Sequence, residues 1–406
     1  GTCLNVGCIP AKTFLRSSKL YHECTQAAAY GVRIGSLTFD MPAVVERKNR
    51  VVGTLTSGVG GMLKRAGVEV ITGQAGIVSR DAVQVGNQGY KTKNILIATG
   101  SKPALPPIPG IESERVLDSD SVFALTTIPE KIAIIGGGYI GLEFACFFNE
   151  IGSKVTVYEM LPQIATASDG EVSSRLLQIL KRAGIDFKLS SEVLKIDGGT
   201  IHSDTAGEFD IVLNATGRTP SVHGLGLKEV GVDFGPRGVK TSEQGKTNVP
   251  GIWACGDVTG RRMLAHAAAR EGIVAVNNMF GNKDRIRYRA IPAVIYTHPE
   301  VASVGKTEEE LNSDGIAYRK SVVPMAVAGR FLIENEGGTG FVKVLTGDKY
   351  GEILGVHAIG DASSEFIVAA AAMIETEMCV KDASQIVFPH PTVSEALREA
   401  ILGIER

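Results

Sequence analysis

The 406-residue sequence predicts a multidomain α/β protein that ends in an α+β domain. The length is enough for about two to four domains. Up to about residue 287, apolar strands that end in glycine-rich loops alternate with helical segments, as in α/β folds. Beyond about residue 288, strands follow one another before a long Ala-rich helix at about 364–378. The last domain boundary is therefore expected near residue 288.

The N-terminal quarter of the chain predicts helices first and strands later. Residues 11–30 and 42–66 have helical patterns, and short strands are expected in VEVITGQAGIVS and AVQVG. The segment NILIATGSKP is an apolar strand that ends in a loop with glycine and proline. The same pattern of strand, ATG, basic residue and proline recurs weakly in IVLNATGRTP.

A complete βαβ unit is expected in KIAIIGGGYIGLEFACFFNEIGSKVTVYE. Gly136, Gly138 and Gly141 lie between the first strand and the helix, where they permit a tight turn, close approach of a pyrophosphate and helix–strand packing. Glu159 ends the second strand about 20 residues on, as the dinucleotide motif requires. It can accept both ribose hydroxyls of NAD and would repel a 2′-phosphate, and no arginine occurs in residues 160–163. NAD is therefore favoured over NADP, with a solvated charge at a strand end as the alternative.

The rest of the α/β region continues with a helix at about 170–184 and strands in IDFKLSSEVLKID, IVLNATGRTP and VPGIWACGDVTG. The segment LAHAAAREGIVAVNNMFG is helical. Asp257, in ACGDV, follows an apolar strand. It is either an ordinary turn aspartate or a residue that hydrogen-bonds a second nucleotide.

Composition excludes several classes of function. Lys+Arg total 42 against 44 for Asp+Glu, a net charge of −2, so there is no electrostatic case for binding nucleic acid or an anionic membrane. The longest apolar run, FIVAAAAMI, is far shorter than the roughly 20 residues that span a bilayer. Six cysteines are too few and too scattered for a disulfide scaffold, so we expect a reducing compartment. That is the cytoplasm, or the mitochondrial matrix in a eukaryote.

The sequence begins with a pair of cysteines, Cys3 and Cys8. In a regular helix their spacing is about 7.5 Å of rise, beyond the usual Cα separation of a disulfide, about 4.4–6.8 Å. A bridge would therefore need a break in the helix, which the nearby Gly7 and Pro10 permit. The loop that such a disulfide closes is so small that it adds little stability, which suggests thiol exchange instead. Lys12 would favour a thiolate nearby. Because thiols do not donate hydride, a flavin is expected to carry the electrons to a nicotinamide. The alternative is two small buried cysteines at a helix start.

A candidate base occurs near the C-terminus in FPHPTVSEALREA. His390 lies between two prolines, a helix is expected from about Thr392, and Glu395 can reach back toward the imidazole. A carboxylate on one ring nitrogen leaves the other free to act as a base. The alternative is a loop histidine with Glu395 closing a capping box with Thr392, and the two roles are compatible. His266 and His298 are expected to be structural or to line a pocket, and no metal-ligand spacing is found, so no metal site is expected.

Eight segments, in their order along the chain, resemble those of the flavin-dependent pyridine nucleotide-disulfide oxidoreductases. They are GTCLNVGCIPAK, ATGSKP, GGGYIGLEFA, NATGRTP, ACGDV, LAHAAAREG, YTHPEVASVG and HPTVSEALREA. Within that family the chain most resembles the dihydrolipoamide dehydrogenases. The resemblance implies two Rossmann-like dinucleotide-binding domains and a C-terminal α+β dimerisation domain. The implied boundaries are 1–116 with 246–287 for an FAD domain, 117–245 for the NAD domain that interrupts it, and 288–406 for the interface of a homodimer.

The resemblance also implies residue roles. Cys3 would exchange with substrate and Cys8 would contact the flavin, with Lys12 beside the flavin and paired with Glu143. Asp257 would contact the ribityl and phosphate region of FAD. His390 with Glu395 would be the base in the partner subunit's active site. The further cofactor-binding residues implied are Thr99, Gly100, Gly217, Gly256, Ala265 and His266.

The implied activity is oxidation of dihydrolipoamide, free or on lipoyl domains of 2-oxo acid dehydrogenase complexes, with reduction of NAD+ to NADH through the disulfide and FAD. The family begins with a strand and its own GxGxxG before the cysteine pair, so we expect this chain to lack that N-terminal segment. Two alternatives follow. One is a related NAD(P)H-dependent reductase of another disulfide; the other is a chain that binds NAD and dimerises but is catalytically silent.

Overall fold

The computed structural model describes residues 1–404 and contains two compact units, each built from separated segments. The first unit comprises Gly1–Pro10, Arg47–Ala104 and Gly217–Arg287. The second comprises Ala11–Glu46, Leu105–Thr216 and the described residues from Tyr288 onward.

Eleven α-helices occur in the described residues, with a few short 3-10 turns between them. They are α1 (Thr2–Val6), α2 (Cys8–Gln26), α3 (Met41–Arg65), α4 (Tyr139–Glu150), α5 (Gly170–Arg182), α6 (Ala265–Met279), α7 (Glu308–Ser313), α8 (Gly329–Glu334), α9 (Ser363–Glu375), α10 (Val380–Ala383) and α11 (Glu395–Leu402). None of these helices, within residues 1–404, combines the length and apolarity needed to cross a bilayer.

The same residues form 22 strands. They are β1 (Ala75–Ser79), β2 (Ala82–Val85), β3 (Gln88–Lys91), β4 (Ile95–Ile97), β5 (Ser101–Pro103), β6 (Val116–Asp118), β7 (Lys131–Ile135), β8 (Lys154–Glu159), β9 (Asp186–Leu189), β10 (Lys195–Asp197), β11 (Thr200–His202), β12 (Gly207–Glu208), β13 (Ile211–Asn214), β14 (Arg218–Pro220), β15 (Phe234–Gly235), β16 (Gly238–Val239), β17 (Ile252–Ala254), β18 (Ala293–Ile295), β19 (Val301–Gly305), β20 (Tyr318–Pro324), β21 (Phe341–Gly347) and β22 (Ile353–Ile359).

The first unit packs small sheets around an aliphatic core. Strands β1, β2 and β3 form an antiparallel meander, and β4 pairs in parallel with β17. β5 pairs antiparallel with β14, so the two ATG-basic-Pro segments that resemble each other in sequence lie side by side. Ala104 N–H also donates to Gly217 O at 2.9 Å, which extends this pairing. The core of the unit includes Ile77, Ile95 and Ile97.

One predicted strand of this unit is wrong in the structure. Residues 68–72, the VEVIT of the predicted segment, form no strand, and Val68, Val70 and Ile71 are exposed. A strand persists only where a neighbour completes its backbone hydrogen bonds. No such neighbour lies along these residues in the described part of the chain.

The second unit contains the predicted βαβ unit inside a five-stranded parallel sheet of order β6-β13-β7-β8-β9. Helix α4 connects β7 to β8, and α5 connects β8 to β9. Ile132 and Ile134 on β7 are fully buried, as expected for a parallel sheet covered on both faces. The order is that of a doubly wound fold, which places ligands at the carboxyl ends of the strands.

A second sheet in this unit is antiparallel, with order β18-β19-β22-β21-β20. Helix α9 packs on β19 and β22, and α11 packs on β20 and β21. All seven residues of β21 are buried, Lys343 included. This is the α+β region that the sequence predicts beyond residue 288.

Candidate active site and nucleotide sites

The two N-terminal cysteines lie on either side of a helix break. Cys3 is in α1 and Cys8 is the first residue of α2, with Gly7 between the helices. A Cβ at Gly7 would lie 2.9 Å from Thr2 O and 3.1 Å from Cys3 Cα, so only glycine fits this close approach. The chain is therefore not a regular helix between Cys3 and Cys8. Their spacing in sequence requires such a break if the two cysteines are to form a disulfide. Both cysteines are partly exposed, and neither is a core thiol.

The glycine-rich loop of the second unit has the geometry of a pyrophosphate-binding turn. Gly136 has φ +110°, and a Cβ there would clash with the Ala215 carbonyl. A Cβ on Gly141 would clash with Gly136 O, which shows how closely helix and strand pack. Gly138 is the N-cap of α4 and faces open space, where a phosphate can approach the helix N-terminus.

Glu159 ends β8 beside this loop. Its Oε2 accepts the Gly137 N–H at 2.7 Å, and its Oε1 accepts the Leu161 N–H at 2.8 Å. These bonds fix the carboxylate at the carboxyl end of the sheet. Glu159 is thus a held acceptor next to the phosphate turn and not only a solvated charge.

Lys12 and Glu143 form an ion pair between α2 and α4. Lys12 Nζ lies 2.7 and 2.9 Å from the two carboxylate oxygens of Glu143 and 4.5 Å from the centre of the Tyr296 ring. The Tyr296 N–H also donates to Glu143 Oε1 at 3.0 Å. Glu143 is only 7% exposed, and these partners compensate for the burial of its carboxylate. Sequence reasoning missed Tyr296, whose contribution comes from its backbone and ring position.

In the first unit, Asp257 is held at the end of β17. Ser101 Oγ donates to Asp257 Oδ2 at 2.5 Å, and Arg218 Nε donates to Ser101 Oγ at 2.8 Å. Gly256 N–H donates to the buried Glu271 carboxylate at 2.6 Å. Asp257 is therefore part of a network and not an isolated turn residue. Sequence reasoning missed Ser101 and Arg218, although the repeated ATG-basic-Pro pattern contains both.

The remaining candidate cofactor residues of this unit are Thr99, Gly100, Gly217, Ala265 and His266. Thr99 and Gly100 follow β4, and Thr99 Oγ1 donates to Ser221 O at 2.8 Å. Gly100 and Gly217 have positive φ values of +71° and +124°. Ala265 and His266 open α6 and are exposed.

His390 and Glu395 are in contact. His390 Nδ1 lies 3.0 Å from Glu395 Oε1 and 3.2 Å from Oε2, and the imidazole is 78% exposed. Glu395 Oε2 also accepts the Thr392 N–H at 3.0 Å. This bond and the contact with His390 hold the pKa of Glu395 below its usual range. The contact between the imidazole and the carboxylate and half of a capping box therefore coexist.

The predicted start of this last helix is wrong by one turn. Helix α11 begins at Glu395 and not at about Thr392. Thr392 Oγ1 donates to Pro389 O at 2.8 Å, so this hydroxyl holds the preceding loop.

Two family models match nearly the whole chain. Residues 1–272 match the model described as pyridine nucleotide-disulphide oxidoreductase, and residues 291–401 match the dimerisation domain of the same family. The chain belongs to the pyridine nucleotide-disulphide oxidoreductases. This oxidoreductase therefore carries a dimerisation domain in its C-terminal part, and members of its family use FAD and NAD.

Individual relatives agree with this assignment. The oxidoreductase is 37% identical to dihydrolipoyl dehydrogenase 1, mitochondrial, of Arabidopsis thaliana, over 99% of this chain and 83% of the relative. It is 36% identical to dihydrolipoyl dehydrogenase of Chlamydia muridarum, over 99% and 89%. Among solved structures, the HOCl-induced flavoprotein disulfide reductase RclA from Escherichia coli superposes with a TM-score of 0.87 at 26% identity, covering 99% of this chain and 91% of that one.

The residues present fit a dinucleotide at the end of the parallel sheet. The open space at Gly138, the tight turn at Gly136 and the held carboxylate of Glu159 are the features that an NAD pyrophosphate and ribose need. For FAD, the described residues supply the preordered Asp257 carboxylate and its Ser101 support. This oxidoreductase thus has acceptors and turns of the right kind for both cofactors.

Proposed function

We propose that this enzyme oxidises dihydrolipoamide to lipoamide and reduces NAD+ to NADH. The contact between His390 and Glu395 carries the proposal, because a carboxylate on Nδ1 orients the imidazole with Nε2 available to a substrate thiol. Support for lipoamide as the substrate comes from the relatives named dihydrolipoyl dehydrogenase, which align over 99% of the chain.

The reaction begins with thiol exchange. His390 removes the proton of one substrate thiol, and the resulting thiolate attacks Cys3 of an oxidised Cys3–Cys8 pair. The Cys3–Cys8 bond breaks and leaves Cys8 as a thiolate. The second substrate thiol then displaces Cys3, which closes the lipoamide disulfide and leaves both cysteines reduced. Bound FAD supplies the two-electron carrier between this dithiol and NAD+, because thiols do not donate hydride directly.

The other residues bind and orient. We assign the Lys12–Glu143 pair to the flavin ring and Asp257 to the ribityl and phosphate region of FAD. Gly136, Gly138 and Gly141, with Glu159, hold NAD. The neighbouring nucleotide residues assigned are Thr99, Gly100, Gly217, Gly256, Ala265 and His266.

The proposal includes an organisation and a setting. Residues 1–116 and 246–287 form the FAD domain, 117–245 the NAD domain and 288–406 the interface of a homodimer, for which the family's dimerisation model is the support. The substrate is presented by lipoyl domains of a 2-oxo acid dehydrogenase complex. The setting is the cytoplasm, or the mitochondrial matrix in a eukaryote.

The test is an anaerobic titration of the purified protein with dihydrolipoamide, followed in the visible spectrum, and then NAD+ addition. We expect flavin bands that gain a long-wavelength charge-transfer shoulder, followed by NADH formation. A colourless protein would favour a silent chain. A flavoprotein that reduces other disulfides with NADH but ignores lipoamide would favour a different reductase, the activity in the name of the Escherichia coli structural relative.

The His390→Gln variant should lower kcat for dihydrolipoamide by about 10²- to 10⁴-fold, because it removes the base. His202→Gln, which alters an exposed histidine on β11, is the control and should leave kcat unchanged. Steady-state NADH formation measures both. Equal rates in the His390→Gln variant and the wild type would refute the assignment.

Mixed dimers test whether the base acts across the interface. We expect homodimers that carry His390→Gln in both subunits to be nearly inactive, and homodimers that carry Cys8→Ser in both subunits to be inactive. If the base acts in the partner subunit, the heterodimer has one intact site and recovers about half of the activity. If the base acts within its own subunit, the heterodimer is inactive.

A further inference from the structure

Helices α2 and α4 are held together at two separate points. The first is the ion pair of Lys12 and Glu143 described above. About half a turn further along α2 and one turn further along α4, the Phe14 ring stacks on the Phe147 ring at 5.0 Å, and both rings are fully buried. Beyond the rings lies a second polar contact, which we call the distal anchor.

The distal anchor consists of Ser18, Lys19, Glu150, His298 and Asp361. Ser18 Oγ donates to Glu150 Oε2 at 2.5 Å, and His298 Nδ1 lies 3.1 Å from Glu150 Oε1. On the other side of the imidazole, Nε2 lies 3.7 Å from Asp361 Oδ2, and Asp361 also pairs with Lys19. The anchor thus links α2 and α4 to the segments that contain His298 and Asp361.

The charges of the distal anchor suit an imidazolium. His298 Nδ1 lies within hydrogen-bonding distance of Glu150, and Nε2 lies within ion-pair distance of Asp361, so a positive charge on the ring is favourable at both nitrogens. Burial alone would lower the pKa of His298, but the Glu150 hydrogen bond and the Asp361 charge outweigh it and raise the pKa. Burial and the charge of His298 lower the pKa of His22, which packs edge-on against it. The Lys19 charge also acts on the ring and opposes the rise in the pKa of His298, and the His298 backbone hydrogen-bonds Cys146. Glu23 and Glu300 act on the neighbouring His22 and Lys19.

The spacing of the two contacts determines what the anchor does. Glu143 and Glu150 are seven residues apart on α4, about 10.5 Å along the helix axis. With stacked rings between them, a slide or rotation of α2 along α4 must break at least one polar contact. Within the distal anchor the Glu150 side chain is buried, at 7% exposed, whereas the His298 side chain is 30% exposed.

We propose that Glu150 and His298 are positioning residues, which fix α2 in register with α4 and so hold the Lys12 ammonium against Glu143 and the Tyr296 ring. The inference rests on the proposed function, in which Lys12 lies beside the flavin. Neither residue touches substrate or cofactor. They act through Lys12.

The test compares His298→Gln in the wild-type holoenzyme and in a Lys12→Met background. In the wild-type background we expect kcat to fall about tenfold with little change in KM, because misplacement by about 1 Å costs up to 10²-fold in rate. The visible flavin spectrum should shift as the ammonium moves. In the Lys12→Met background the same substitution should change neither kcat nor the spectrum further. His298→Arg retains a donor cation and should recover part of the rate.

The matched control is Arg16→Gln, on the same helix. Arg16 pairs with Glu23 on the solvent side, where their side chains are 57% and 46% exposed, and its loss should change nothing. Equal effects of His298→Gln in both backgrounds would overturn the inference, as would an unchanged kcat in a folded variant. If the His298→Gln variant does not fold, the Ser18→Ala variant takes its place in the test, because it removes another hydrogen bond of the distal anchor. Should the wild type not oxidise dihydrolipoamide, the proposed function fails, and the spectral comparison still decides the positioning role.

Discussion

The Cys8→Ser variant is expected to lose dihydrolipoamide oxidation by roughly 10⁴-fold or more, the scale seen when a covalent catalytic group is removed. A serine hydroxyl cannot form the disulfide that accepts the substrate's electrons, so no partial route through the pair remains. Cys8 begins α2 directly after the Gly7 break. Serine differs from cysteine only in the side-chain oxygen, so we expect the backbone there to be kept. The measurement is NADH formation under saturating dihydrolipoamide.

A matched control lies on the same helix. Cys24→Ser changes a partly exposed cysteine of α2, and turnover should stay within twofold of the wild type. If Cys8→Ser and Cys24→Ser have the same activity, Cys8 is not part of the redox pair and the proposed mechanism is wrong.

The Lys343→Met variant is expected to be destabilised by about 3–5 kcal/mol, the usual result of removing one partner from a buried ion pair. Lys343 is 1% exposed, and its Nζ lies 2.6–2.7 Å from carboxylate oxygens of Asp169, Glu171 and Glu308. Burial alone would lower the pKa of Lys343, but the three carboxylates raise it well above its usual value. Without the ammonium, the buried Asp169 carboxylate loses its counter-charge and the three carboxylates repel one another, so the midpoint of denaturant unfolding should fall.

Lys320→Met is the control for that variant. Lys320 pairs with the same Glu308 at 3.0 Å, but its side chain is 50% exposed, and such pairs contribute about 0–1 kcal/mol. If the denaturant midpoints of Lys343→Met and Lys320→Met fall by the same amount, the burial of Lys343 does not add to the stability of the protein.

The same cluster gives the pH dependence a direction. Burial alone would raise the pKa of Glu308, but hydrogen bonds from Lys343, Tyr318 and Lys320 lower it to about 2 from an ordinary value of 4.5. The charged form of Glu308 is thus favoured in the folded state, and its stabilising contribution is complete above about pH 4.5. It is lost as the pH falls from 4.5 toward 2. In the Lys343→Met variant, the free energy of unfolding should therefore fall less steeply between pH 4.5 and pH 2 than in the wild type.

Local patterns in the sequence predicted the parts of the molecule that are local in the chain. The βαβ unit was predictable because its glycines, helix and acidic strand end lie within one continuous stretch, residues 131–159. The contact of His390 with Glu395 was predictable for the same reason, since only five residues separate them. The helix start at Glu395 was missed because Thr392 bonds the loop before it.

Contacts between distant segments were not predictable in this way. Lys343 lies in an apolar strand, and nothing near it in sequence indicates that it meets Asp169, 174 residues away. The strand expected at residues 68–72 failed because strand formation depends on a partner and not on composition alone. The Lys12–Glu143 pair, 131 residues apart, came from a family resemblance and not from residue patterns.

The pairing of β5 with β14 has a consequence for how this protein tolerates changes in chain length. The chain leaves the first unit after Ala104 and re-enters it at Gly217, two points joined by a backbone hydrogen bond. The entropy of closing an excursion grows only with the logarithm of its length. For the first unit alone, the length of the excursion through Leu105–Thr216 therefore matters little, and residues added at the Ala104–Gly217 junction should leave its strand pairing intact.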